Sequence, residues 1–141
     1  MNFFTDFMTN GKTYELQLDN SKENYDWDKL TKKLLGSQDA YNMMPDTMTA
    51  SSLVFFSDCI MHIMRIIRIL KFERGNCLLI GMGGSGRKSL TRLASYIRKY
   101  KCFEIEITKG YGVREFYEDL GNLLRQCGAE QEDVSFLFSD T

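Results

Sequence analysis

Proline is almost missing from this chain: one residue, Pro45, among 141, and it falls between two stretches of different character. Histidine is as scarce, with His62 alone, and the four cysteines (Cys59, Cys77, Cys102 and Cys127) stand 18 to 25 residues apart without a CxxC pair. A zinc site therefore lacks both its ligands and its spacing. Cys77 and Cys102 lie in apolar runs, where a reduced, buried thiol is expected. Neither sign of charge dominates: 18 Lys+Arg against 19 Asp+Glu leave a net charge of −1. That balance offers no electrostatic footprint for nucleic acid, although basic residues gather between Arg65 and Lys101. The start, MNFFTDFMTNGK, has no basic region, long apolar core or small-residue cleavage site, so an intracellular, reducing compartment is expected. No long apolar run is free of charge either. The longest, Leu53 to Leu70, carries Asp58, His62, Arg65 and Arg68, which are costly in hydrocarbon, so no membrane span is expected.

The length fits one ordinary domain, 43% of it hydrophobic, and excludes neither a core nor a partner. Composition excludes a disordered tail, a collagen-like repeat and a coiled-coil rod. Helical geometry sorts the Leu53–Leu70 stretch into two faces. Asp58, His62 and Arg65 fall on one; Leu53, Phe56, Ile60, Ile63, Ile67 and Leu70 fall on the other. This predicts an amphipathic helix, with His62 a surface partner of Asp58.

Two parts follow along the chain. Residues 1–48 read as a connector segment: a strand at Tyr14–Leu18, a helix over Asp26–Leu35 stopped by Gly36, and a polar, Met-rich link through Pro45. Residues 49–141 are regular. A helix runs to Phe72. Cys77–Ile80 is a continuous apolar run that suits a strand covered on both faces. After the turn Gly81–Gly86 comes a helix with Leu90, Leu93, Ala94 and Ile97 on its apolar face. Phe103–Ile107 alternates as an edge strand. A helix over Gly112–Gln126 turns Val113, Phe116, Leu120, Leu123 and Leu124 inward, and Val134–Phe138 is a third strand. The order α-β-α-β-α-β is that of an α/β nucleotide-binding fold.

The chemically informative segment is Gly81-Met-Gly-Gly-Ser-Gly86-Arg-Lys-Ser89. A strand that turns tightly into a helix aims backbone N–H groups and the positive helix end at one spot, and glycines let a phosphate come close. Two ligand classes compete. As a P-loop, Gly81 and Gly86 hold the GxxxxG spacing, but Arg87 stands where Lys belongs and Lys88 where Ser or Thr would meet Mg²⁺. As a dinucleotide fingerprint, Gly81-x-Gly83-x-x-Gly86 is complete, and Glu106 lies 20 residues on, where an acid would bind a ribose. A third reading is a non-enzymatic scaffold module, in which Arg87 and Lys88 are a solvated basic patch.

Beyond the turn, longer runs resemble one family. Leu53-Val-Phe-Phe-Ser-Asp58, Arg65-Ile-Ile-Arg68, Arg74 to Ala94, Phe103 to Gly112, Glu118-Asp-Leu120, Leu123-Leu-Arg125, Gly128 and Phe136 to Thr141 are similar to the fourth AAA+ module of axonemal-type dynein heavy chains. The likeness covers about residues 50–141, with a weaker likeness from Tyr25 to Asn42 to the connector before that module.

The resemblance implies an α/β P-loop NTPase (AAA+) fold with a three-layer αβα core, cut after the third core strand. In that family's sheet the fourth strand lies between the first and the third. It implies ATP or ADP and Mg²⁺ as ligands, with Gly81, Met82, Gly83, Gly84, Ser85, Gly86, Arg87, Lys88 and Ser89 around the phosphates and Arg87 in place of the P-loop lysine. Ser139 and Asp140 take the place of an Asp-Glu pair, making Asp140 the candidate catalytic acid and Ser89 and Asp140 the candidate Mg²⁺ ligands. Lys88 cannot ligate Mg²⁺, and Asp140 is one methylene shorter than glutamate, so binding is expected over hydrolysis. The implied partners are the rest of a dynein heavy chain and neighbouring AAA+ modules, with microtubules reached only through parts this chain lacks and no nucleic acid or membrane. The implied location is the cytoplasm and cytoskeleton, in the ciliary axoneme.

Overall fold

The computed structural model describes residues 3–5, 7, 14–16, 25–45 and 50–139. Two short strands, β1 (Phe3–Thr5) and β2 (Tyr14–Leu16), pair antiparallel with Phe3 opposite Leu16. Then come α1 (Tyr25–Asn42), α2 (Ser57–Lys71), α3 (Arg87–Ile97), β3 (Lys101–Glu104), α4 (Val113–Gly128) and β4 (Val134–Leu137). β3 and β4 pair in parallel, Lys101 opposite Val134 and Glu104 opposite Leu137, with α4 as the crossover between them.

One apolar core joins the first three helices. Leu30 and Leu34 of α1, Ile60, Ile63, Met64, Ile66 and Ile67 of α2, and Leu90, Leu93 and Ala94 of α3 are all buried in it. The two-faced pattern expected of α2 is present: Asp58, His62 and Arg65 are exposed opposite that stripe. Asp58 in its first turn and Arg68 and Lys71 in its last suit the helix dipole. At its end the chain doubles back so tightly that a Cβ on Gly75 would stand 2.0 Å from the Ile69 carbonyl oxygen, so only glycine fits there. No helix among the described residues is long and apolar enough to cross a membrane.

Several expected boundaries move. The helix expected to stop at Gly36 runs on to Asn42. Gly36 lowers helix propensity but does not end the helix, because Leu30, Leu34, Gln38 and Tyr41 continue one packed face past it. The second helix starts at Ser57, not near residue 50. Residues 51–56 lie outside any helix or strand instead, and Phe56, expected on the buried face, has an extended backbone and is exposed. The edge strand expected at Phe103–Ile107 occupies Lys101–Glu104, since its ladder with β4 ends at Leu137.

Two corrections concern burial. Cys77–Ile80, expected as a strand, forms neither helix nor strand and pairs with no described strand, and of its side chains Leu79 packs on the core. Leu78 and Ile80 are 84% and 87% exposed, and the Cys77 thiol is exposed rather than buried. In α4, Leu123 alone of the five expected inward residues is buried; Val113 and Leu124 are exposed. A sheet of two strands is too narrow to cover that helix.

The residue at position 36 gives a direct check of the revised α1. It is exposed, its φ is not left-handed, and a Cβ there would meet nothing within 4 Å. Gly36→Ala should stabilise the chain by about 0.5–1 kcal/mol, read as a rise in the urea midpoint. A fall in the midpoint would mean that α1 does not run through this position.

Candidate functional site

The extended segment ending at Ile80 delivers the chain to the glycine turn, and α3 carries it away. Inside the turn the Ser85 N–H donates to the Met82 carbonyl at 3.3 Å. Gly84 and Gly86 hold φ of 76° and 75°, the left-handed region where a side chain is strained. A Cβ on Gly81 would lie 3.0 Å from Ser85 Oγ and 3.6 Å from Arg87 Cδ, so both side chains fold back over the start of the turn. Met82 projects outward, 85% exposed. Gly83 is open on all sides.

Gly86 is the N-cap of α3 and supplies no capping side chain; no acid stands in the first turn. The first N–H groups of a helix have no acceptor within the helix, and here none comes from a capping residue. Arg87, Lys88 and Ser89, all half-buried, follow at once. Backbone donors and the positive helix end thus meet at one place, with the Arg87 side chain folded over Gly81 beside it, an arrangement that suits an anion of phosphate type.

Lys88 is directed elsewhere. Its Nζ lies 3.1 Å from Glu104 Oε1, while Arg92 Nε donates to Glu104 Oε2 at 2.9 Å. Lys88 and Arg92 are one helical turn apart, so both reach the carboxylate at the end of β3. Burial pushes the Glu104 carboxyl up, but the hydrogen bonds and charges of Arg92 and Lys88 outweigh it, and its pKa sits below the ordinary value. Behind this cluster Ser135 Oγ of β4 donates to Ser95 Oγ of α3 at 2.6 Å, both residues buried. Burial pushes the neighbouring Cys102 thiol up against opposing bonds from Ser135 and Ser95, which keeps it protonated.

The structure brings Gly81 to Ser89 together in one turn. Ser89 is half-buried at the start of α3, and Asp140 lies outside the described residues. Ser139, half-buried, is the last residue described. Glu106, the acid expected of a dinucleotide site, is exposed beyond the end of β3. Glu104 and Arg92 were missed by sequence reasoning. The available signal was Lys88 and Arg92 at i, i+4 on one helix face, two cations that call for an acid nearby. Among the described residues no group of three or more His, Cys, Asp or Glu is arranged to hold a metal ion. A cleft of about 1470 Å³ runs from the glycine turn between the Cys77–Ile80 segment and β4, with Leu78, Ile80, Ser89, Val134 and Phe136 on its walls.

Residues 51–141 match the family described as the P-loop containing dynein motor region D4. The chain is 52% identical over 89 residues, 63% of its length, to dynein axonemal heavy chain 6 of Homo sapiens. It is 43% identical over 138 residues, 98% of its length, to dynein axonemal heavy chain 2 of Mus musculus. To the dynein-1-beta heavy chain of the flagellar inner arm I1 complex of Chlamydomonas reinhardtii it is 54% identical over 93 residues, 66% of its length. The chain spans 2% to 3% of the length of these curated relatives.

The Glu104 cluster yields a pH dependence. The folded carboxyl titrates below its unfolded value, so its contribution is complete at neutral pH. It is lost as pH falls below the ordinary carboxylate range and through the lowered pKa. Glu104→Gln should cost about 1–2 kcal/mol at pH 7 in urea unfolding, and the gap to the unaltered chain should shrink at an acid pH below the carboxylate range. A gap of equal size at both pH values would show that the charge of Glu104 is not what matters.

Proposed function

The chain belongs to the family of the P-loop dynein motor region D4, and from that membership we propose that it forms part of an AAA+ module that binds ATP or ADP and hydrolyses ATP poorly. The observation that carries this reading is the glycine turn: left-handed Gly84 and Gly86 leading into an α3 whose first turn has no side-chain cap. Backbone N–H groups there would take the phosphate oxygens, and the Arg87 guanidinium, always protonated, would neutralise them in place of a lysine. Gly81, Met82, Gly83, Gly84, Ser85 and Gly86 form the cradle; Ser85 Oγ folded over Gly81 closes its near side.

Bound Mg²⁺ would neutralise phosphate charge; Ser89 and Asp140 are the residues proposed to hold it. Lys88 contributes little to that task, because its ammonium faces Glu104. Asp140 would be the acid that orients water. With Lys88 where a magnesium-binding hydroxyl is expected and a short acid at position 140, binding outlasts hydrolysis in this reading.

The same reading gives the fold. A three-layer αβα core would be completed by a strand between Cys77–Ile80 and β4. The support is that Cys77–Ile80 pairs with no described strand, that Leu78 and Ile80 are exposed, and that this segment and β4 both line the cleft. The partners proposed are therefore the rest of a dynein heavy chain and neighbouring AAA+ modules, with microtubules engaged by other parts of that chain. The names of the axonemal and flagellar relatives support a place in the ciliary axoneme, within the cytoskeleton. The dinucleotide alternative would need Glu106 at the turn; Glu106 is exposed beyond β3 and is not on the wall of the cleft.

Thermal unfolding with added nucleotide tests the proposal. ATP or ADP at about 100 times its Kd should add about 2.7 kcal/mol and raise the melting temperature by several degrees. NAD should not, and Arg87→Ala should remove most of the rise. Recovered ATP should be intact. No rise with ATP or ADP, or an equal one with NAD, would overturn the assignment.

A further inference from the structure

The extended segment 51–53 is held by side chains, not by a strand. The Asn42 amide pairs with both backbone groups of Ser51: Ser51 N–H donates to Asn42 Oδ1 at 2.7 Å, and Asn42 Nδ2 donates to the Ser51 carbonyl at 2.9 Å. The Gln38 amide does the same two residues on. Leu53 N–H donates to Gln38 Oε1 at 3.0 Å, and Gln38 Nε2 reaches the Leu53 carbonyl at 3.4 Å. Ser51 Oγ adds a bond to Gln38 Oε1 at 3.1 Å, in a buried setting. The spacing explains why this works. Residues four apart on a helix are separated by about 6 Å along its axis, and residues two apart on a strand by about 6.6 Å. Two amides one turn apart on α1 therefore read the extended segment as a neighbouring strand would. A slip of one residue would break both pairs.

What the segment carries is the Leu53 side chain. A Cβ on Gly86 would stand 3.2 Å from Leu53 Cδ2, so Leu53 packs against the residue whose left-handed φ of 75° ends the turn and caps α3. The Gly86 carbonyl in turn accepts from the Leu90 N–H at 2.8 Å. A short chain of contacts thus runs from α1, which lies outside the matched span 51–141, to the hinge of the candidate phosphate site.

We propose that Gln38 and Asn42 are positioning residues for the glycine turn: they fix Ser51 to Leu53 in register so that Leu53 braces Gly86 and holds the turn open to phosphate. The inference rests on the phosphate-binding reading for its consequence, and on the amide pairing for its geometry.

The test uses the whole chain with Gln38→Met, which keeps volume and removes the amide, Leu53→Ala, which removes the brace alone, and Ser37→Ala as control. Among the described residues Ser37 Oγ bonds within α1, to the Lys33 carbonyl. Amide hydrogen exchange is followed at Ser85 and Leu90, whose N–H groups are bonded in the turn, and at Ile97 in the same helix; ATP affinity is measured beside it. Both test variants should speed exchange at Ser85 and Leu90 about tenfold, leave Ile97 unchanged and weaken ATP about tenfold, while Ser37→Ala changes nothing. Exchange that rises equally at all three sites, or at none, overturns the proposal. If Gln38→Met does not fold, Leu53→Ala decides alone. If the unaltered chain binds no ATP, the phosphate reading fails while the exchange data still decide whether the brace exists.

Discussion

The seat of α3 on α2 is the contact on which the rest depends. Leu90, Leu93 and Ala94 are buried with Ile60, Ile63 and Ile67, and each large side chain so buried contributes about 1.5–3 kcal/mol. Because α3 begins where the glycine turn ends, this apolar seat decides where the turn stands. Polar contacts refine it from the far side: Glu104 grips Lys88 and Arg92, and Ser135 bonds Ser95. Helix α3 is thus clamped between a greasy face and a polar one, with its uncapped end left to the solvent and the cleft.

That clamp sorts the cations around the turn. Three lie within six residues, Arg87, Lys88 and Arg92. Two are committed to one carboxylate on β3, and burial of that carboxylate is tolerated because both are there. Arg87 folds over Gly81 instead, beside the backbone donors. The departure from the usual P-loop lettering therefore has a local logic: the lysine helps to fix the helix, and the arginine faces the turn.

Much of this was legible in the sequence because it follows from periodicity. The stripe of α2 and the apolar face of α3 stand as the spacing predicts, and the strand expected at Val134–Phe138 forms over Val134–Leu137. The glycine turn was legible because GxGGSG followed by Arg-Lys-Ser has few structural uses. What stayed hidden depends on distant partners. Gly36 looks like a stop until Leu34 and Gln38 are seen packed on either side of it. Residues 53–56 continue a helical pattern on paper, and the amides of Gln38 and Asn42, far off in the sequence, bind the backbone at Ser51 and Leu53. Cys77–Ile80 reads as a doubly covered strand because the run is apolar throughout, yet no described strand pairs with it. Glu104 was hidden behind Glu106, since counting residues from a glycine cannot tell which carboxylate a lysine will reach.

Contact between the backbone of the turn and phosphate is the central requirement for nucleotide binding here. Amide resonances of Gly83, Gly84 and Gly86, followed by two-dimensional NMR during titration with ATP, read that contact at the atoms concerned. All three should move together and saturate with one binding constant, while the amides of α4 stay still. Glycine resonances that do not move while others saturate would place the nucleotide elsewhere and contradict that requirement.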